Sequence, residues 1–118
     1  MNDFSKSKIE GSTYDRKKLH SRFLKNCNTY KSFINLQEKA FSDGALNKKQ
    51  KELMALSISI VTKCEPYIEW HVQQAWLAGA SDEEIYETID VSIEMGGGPA
   101  VAYARYALTA LDYHREKK

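Results

Sequence analysis

The chain has 118 residues, 42% hydrophobic and 28% charged, with 17 Lys/Arg against 16 Asp/Glu. That length suits one domain around one core, and a formal net charge of +1 argues against a nucleic-acid surface, which needs a strongly basic face. No apolar run approaches the ~20 residues of a membrane span, and MNDFSKSKIEGSTYDRKK lacks the apolar stretch of a secretory leader. The expectation is a cytoplasmic globular protein with neither membrane nor nucleic-acid partners.

Residues 1–14 are polar, contain Gly11, and read as a flexible lead-in to a helical domain over 15–118. From Asp15 the pattern turns helical, with Leu19, Phe23, Leu24 and Cys27 on one apolar face. A second helix is expected over Tyr30–Phe41, carrying Phe33, Ile34, Leu36 and Ala40, and Ser42-Asp43-Gly44 stops it. Asn47 can cap a third helix over Lys48–Thr62. Apart from Ser57 and Ser59, that helix is apolar after Glu52, the pattern of a buried central element.

Pro66 fits the first turn of a fourth helix, which runs to about Ala78 and ends at Gly79. Ser81-Asp82-Glu83-Glu84 reads as a capping box opening a fifth helix with Ile85, Ile89 and Ile93 on one stripe. Gly96-Gly97-Gly98 breaks the chain, and Pro99 opens a sixth helix with Val101, Ala104, Ala107, Leu108 and Leu111 inward. Tyr103, Tyr106 and Tyr113 fall partly on its outer side, as interface aromatics do. The fold class is therefore all-α: a single-domain bundle of about six helices, suited to a homo-oligomer.

Charge is uneven along the chain. Residues 1–50 hold 11 Lys/Arg and 5 Asp/Glu, and residues 51–118 hold 6 and 11. The plain reading is two solvated surfaces of opposite sign; the sharper one is attraction between the halves, within a chain or between subunits.

Chemistry concentrates in Cys64-Glu65-Pro66-Tyr67-Ile68-Glu69-Trp70-His71. A step of seven returns to nearly the same helix face, roughly 20° away, so Cys64, Tyr67 and His71 share a stripe. A thiol and an imidazole on one face are the minimum parts for thiolate chemistry. Glu52 lies twelve residues before Cys64, and antiparallel packing of its helix beside the next brings it towards His71. Its plain alternative is an exposed first-turn carboxylate. Tyr67 either donates its hydroxyl to substrate or Glu52, or fills a pocket with its ring. Trp70 and Trp76 suit core or interface, and Cys27 suits the core. Too few ligands surround Glu52, Cys64 and His71 for a zinc site, so no metal or cofactor is expected.

Lys51-Glu52-Leu53 entering an apolar helix, then Cys64, His71, Ala75, Gly79 and Glu84-Ile85, resembles the carboxymuconolactone decarboxylase and alkylhydroperoxidase D family. Gly97-Gly98-Pro99-Ala100 with Ala104 resembles that family's final helix, and the likeness runs from about Phe33 to Leu111. The resemblance implies an all-α fold assembled as trimers or hexamers. It also implies a peroxidase site in which a Cys-x-x-Cys pair and a Glu/His relay reduce peroxide. Cys64, His71 and Glu52 match that set, and Tyr67 stands where the second, attacking cysteine would be.

The leading expectation is a thiol-dependent oxidoreductase of peroxidase or disulfide-exchange type, with an antioxidant role. Cys64 would be the redox thiol, Glu52 and His71 the proton relay, and an external thiol or dithiol the reductant, with Cys27 a potential resolver. The alternatives are a cofactor-free lyase or isomerase acting on a small carboxylated lactone or keto acid, and a non-enzymatic family member. In the lyase His71 is the acid or base, and Lys63 or Arg105 anchors the substrate.

Overall fold

The computed structural model describes residues 1–117, which form six helices and, among those residues, no strand. They are α1 (Asp3–Asn26), α2 (Asn28–Ala40), α3 (Lys48–Val61), α4 (Glu65–Leu77), α5 (Asp82–Gly96) and α6 (Gly98–Lys117). Helix α4 is the hub, packed against α1, α3 and α6, and α5 closes the bundle against α3 and α6. Ile68, Val72 and Ala75 of α4 are fully buried against Leu56 and Ile60 of α3 and Leu111 of α6. Each large aliphatic side chain so buried contributes about 1.5–3 kcal/mol relative to exposure.

The boundaries follow local chemistry. Asn47 caps α3, and the Gln50 side chain returns the bond; Ser81 and Glu84 do the same for α5. Both ends of α4 are set by tight C-terminal turns. At the α3 end, Lys63 N–H donates to the Ile60 carbonyl and Cys64 N–H to that of Ser59, at 3.1 and 3.0 Å. Gly79 and Ala80 repeat this double bond to Trp76 and Ala75 at the far end of α4. The left-handed position is a glycine there (φ 95°) but a lysine at Lys63 (φ 62°). The chain thus holds a conformation unfavourable to a Cβ immediately before Cys64.

Several expectations are corrected. The first helix begins at Asp3 rather than Asp15, capped by Asn2, and runs straight through Gly11. Residues 1–14 are thus mostly helix rather than a flexible lead-in, and Ile9 is fully buried, docked in the core with α4 and α6. The apolar faces of α1 and α2 are not core: Leu19, Phe23, Leu24, Phe33 and Leu36 are all exposed, and α2 buries no residue. The physical reason is that α2 packs closely only on α1 and stands off the rest of the bundle across open cavities.

Cys27 is likewise exposed, because it ends α1 as the cap residue instead of lying on its inner face. Helix α3 is buried on one side only; Met54 and Ile58 face outward. On α6 the inward stripe is Ala100, Ala104, Ala107 and Leu111, whereas Val101 and Leu108 are exposed and Tyr106 and Tyr113 are buried. Tyr106 is covered because residues that were expected to be flexible pack on α6, with Lys8 4.8 Å over its ring.

Opposite charge does join the halves of the chain. Lys8–Glu65, Arg16–Glu69, Lys48–Glu52 and Lys49–Glu84 all pair a residue before 50 with one after it.

Candidate functional site

Helix α4 presents two histidine–carboxylate pairs on opposite sides, because residues 69 and 71 are about 200° apart around a helix. The first pair is the expected one. Glu52, one turn into α3, reaches across to α4, and Glu52 Oε1 lies 2.7 Å from His71 Nδ1. Glu52 is 2% exposed and His71 6%, so the alternative of a solvated first-turn glutamate is set aside. Lys48 Nζ donates to the other oxygen of Glu52 at 2.6 Å.

Burial alone would raise the Glu52 pKa, but the hydrogen bonds from His71 and Lys48 and the electrostatic pull of the same two groups outweigh it and hold the carboxyl below its ordinary value. An ionised carboxylate only accepts, so His71 donates through Nδ1–H and its Nε2 is left as the free position. Three rings enclose the imidazole: Trp70, Phe41 and Tyr67, with centroids 4.9, 5.5 and 5.7 Å away.

Tyr67 sits one turn before His71 and is 44% exposed. It neither fills a closed pocket nor hydrogen-bonds Glu52, whose two oxygens are taken by His71 and Lys48. Its ring instead forms part of a wall. Cys64 stands one turn further on, as the residue preceding α4, partly buried and free, and Cys27 is free as well. Seven residues of helix correspond to about 10 Å along its axis, so the thiol and the imidazole are neighbours on one stripe rather than a hydrogen-bonded pair. The two cations expected as anchors, Lys63 and Arg105, are both exposed. Among the described residues no group of three His, Cys, Asp or Glu is placed to hold a metal ion.

Three open cavities follow one another along α4. The first, about 540 Å³, takes in Glu65, Pro66 and Tyr67, directly after Cys64. The second, about 520 Å³, shares Arg16, Tyr30 and Tyr67 with the first and continues to Trp70. The third, about 320 Å³, shares Gln37, Glu38 and Trp70 with the second and ends on Glu52 and Lys48. Through these shared residues they make one groove from Glu65 to the relay carboxylate Glu52, roofed by α1 and α2; neither Cys64 nor His71 lines any of the three.

The second pair was missed from sequence. Glu69 is fully buried, and His114 of α6 approaches its Oε2 through Nε2 at 2.9 Å. Arg16 of α1 donates to both Glu69 oxygens at 3.0 and 3.2 Å and to Gln73 at 3.1 Å. Burial again would raise the Glu69 carboxyl, and His114 and Arg16 together bring it below its ordinary value. The signal was present: Glu69 follows Ile68 and lies one turn before Val72, on the core face of α4. His114 extends the inward stripe Ala104, Ala107 and Leu111.

The carboxymuconolactone decarboxylase family model matches residues 28–110. The chain belongs to the carboxymuconolactone decarboxylase family. It is 44% identical over 81 residues to the "uncharacterized protein 4 in cox locus" of Paracoccus denitrificans, covering 69% of this chain and 73% of that protein. Its structure is similar to that of a carboxymuconolactone decarboxylase family protein from Legionella pneumophila, with 34% identity, 92% of this chain and 96% of that chain covered, and a TM-score of 0.81. It is also similar to a family member from Thermotoga maritima for which involvement in an antioxidative response has been suggested, with 33% identity, coverage of 90% and 91%, and a TM-score of 0.82. Glu52, Cys64, Tyr67 and His71 all lie within the family-matched residues, whereas Arg16 and His114 lie outside them. The first Glu–His pair therefore belongs wholly to the family segment, and the second ties the flanking α1 and the end of α6 onto it.

Proposed function

We propose that this family member is a thiol-dependent oxidoreductase of peroxidase type, with Cys64 as the redox thiol and Glu52–His71 as its proton relay. The carrying observation is the buried Glu52–His71 hydrogen bond of 2.7 Å, whose carboxylate lines the last of the cavities along the helix that Cys64 precedes. The suggested antioxidative role of the Thermotoga maritima relative agrees with it.

In the proposed reaction Cys64 gives its thiol proton to His71 Nε2 through water or the Tyr67 hydroxyl, and the resulting thiolate attacks a peroxide oxygen. An S–O bond forms as the O–O bond breaks, and the departing alkoxide takes a proton from His71 through water or the Tyr67 hydroxyl. Cys64 is left as a sulfenic acid. An external thiol then condenses with it, releasing water and forming a mixed disulfide. A second thiol displaces Cys64, leaving the external disulfide and the restored thiol. Two external thiols are oxidised for each peroxide reduced. Glu52 stays ionised and stabilises the imidazolium that forms at His71. Tyr67 in place of a second cysteine makes the external thiol necessary, unless Cys27 of another subunit supplies it. Exposed apolar side chains such as Met54 and Ile58 on α3 and Val91 and Met95 on α5 suit assembly into a trimer or hexamer.

The test is peroxide-dependent oxidation of a dithiol. Turnover by the wild-type protein that disappears in Cys64→Ser supports the reading; no wild-type turnover, or full turnover by Cys64→Ser, rejects it.

A second reading is favoured by the spacing of Cys64 from His71. The Glu52–His71 pair alone can act as acid or base on a small carboxylated lactone or keto acid, with no thiol involved. Lys48 beside Glu52, rather than Lys63 or Arg105, then faces the substrate. That reading expects activity to survive Cys64→Ser and to be lost in His71→Ala.

A further inference from the structure

Within the groove along α4, chemistry is distributed in a way the proton relay does not use. Its walls are aromatic: Tyr30 from α2, and Tyr67 and Trp70 from α4. Its charge comes from α1, where Arg16 and Lys17 both line the middle cavity. Arg16 is the better placed of the two. Its Nη2 is committed to Glu69 and Gln73 and its Nε is buried, which leaves Nη1 as the guanidinium nitrogen a ligand in the cavities can meet. A charged donor already held in place gives an anionic group a directed, charge-assisted contact.

The roof above it is fixed in place. Tyr30 accepts or donates at 2.6 Å to His20 Nδ1, and it stacks on Phe23 with centroids 4.8 Å apart. Arg16 is itself clamped by the buried Glu69, so its position is set before any ligand arrives. Opposing charge is present, from Glu38 in the middle cavity and Asp15 and Glu65 in the first. Glu65 is paired with Lys8 at 3.3 Å, and Arg16, itself held by Glu69 at 3.0 Å, is the cation that lines both cavities.

We infer that the groove binds an organic anion with a flat apolar body, its ring stacked between Tyr30, Tyr67 and Trp70 and its anionic group on Arg16. The inference deepens the proposed function by naming the substrate class of that site, an aryl-bearing carboxylate or its hydroperoxide, and it rests on that reading for its chemical consequence alone. Arg16 lies on α1, outside the residues the family model matches.

The test is equilibrium binding by calorimetry on the full chain, both wild type and Cys64→Ser, with two unreactive probes of the same shape: 2-naphthoate and 2-naphthylmethanol. The carboxylate is expected to bind about tenfold tighter than the alcohol at low salt, the scale of one charge-assisted hydrogen-bonded contact, with the preference shrinking as salt rises. Arg16→Met should erase the preference while leaving alcohol binding in place, and Arg16→Lys should retain part of it. Because Arg16 also holds Glu69, each variant is checked by its thermal melt. Lys17→Met, which breaks no ion pair of the described residues, gives a smaller loss of preference. Equal affinity for acid and alcohol in the wild type, or no saturable binding of either, overturns the inference without reference to any variant. Binding with the expected preference but no peroxide turnover rejects the peroxidase reading and leaves this one standing.

Discussion

The two Glu–His pairs on α4 are built from the same groups and sit in different surroundings. Glu52–His71 and Glu69–His114 each bury a carboxylate, 2% and 0% exposed, against an imidazole nitrogen 2.7 and 2.9 Å away. Each carboxyl is held below its ordinary pKa against the opposing pull of burial. The difference is what completes them. Glu52 takes its second partner from Lys48, 44% exposed and able to swing into solvent, and it lines a cavity. Glu69 takes its from Arg16 and is sealed on every side. A buried charge that is fully bonded holds elements together; one that borders a groove can exchange protons with what enters it. We therefore read the first pair as the chemical one and the second as a clasp joining α1, α4 and α6.

Four measurements sharpen or break that contrast. The largest expected effect is on turnover: His71→Ala should lower peroxide reduction by about 10²–10⁴-fold, the usual scale of a positioned acid or base, while His114→Ala stays near wild type once its folded fraction is accounted for. If both lose turnover equally, the division of roles is wrong. Next is stability in urea. Glu69→Ala removes one partner of a buried ion pair and leaves His114, 4% exposed, without its carboxylate, so a loss of about 3–5 kcal/mol is expected. Glu52→Ala should lose less, because Lys48 can rehydrate.

The third measurement is pH dependence. Both carboxyls have folded pKa values depressed below 4.5. Their stabilisation is therefore fully present above about pH 4.5 and is lost as pH falls through the folded values. The urea midpoint should drop on acidification below 4.5, and Glu69→Gln should flatten part of that fall. A midpoint that rises on acidification would contradict the assignment. The smallest effect is Lys48→Met, which removes a half-exposed donor from the buried Glu52 and should cost about 1–2 kcal/mol while lowering turnover measurably, since Glu52 then lacks its cation.

Local chemistry was legible where a few adjacent residues suffice. Asn47, Gly79, the Ser81–Glu84 box and the Gly96–Gly98 break lie where their patterns placed them, because caps and turns are made within four residues. The approach of Glu52 to His71 was also readable, since α3 and α4 are consecutive and joined by a tight turn. The start of α1 was not: Asp3 to Tyr14 carry few apolar residues, and only the docking of Ile9 into the core shows why that stretch is ordered. Nor was the Glu69–His114 bond, whose partners are 45 residues apart on helices that are not consecutive.

What the sequence by itself determined, then, is the helical bundle, its breaks, and the thiol–tyrosine–imidazole stripe with its upstream glutamate. Those depend on periodicity and on short-range hydrogen bonding. Only the tertiary structure decided that a second buried carboxylate anchors α1, that Cys27 and the apolar face of α2 stay outside the core, and that Tyr67 forms a groove wall instead of a plug. Those outcomes depend on which helix covers which face, and burial is settled by the whole chain packing at once.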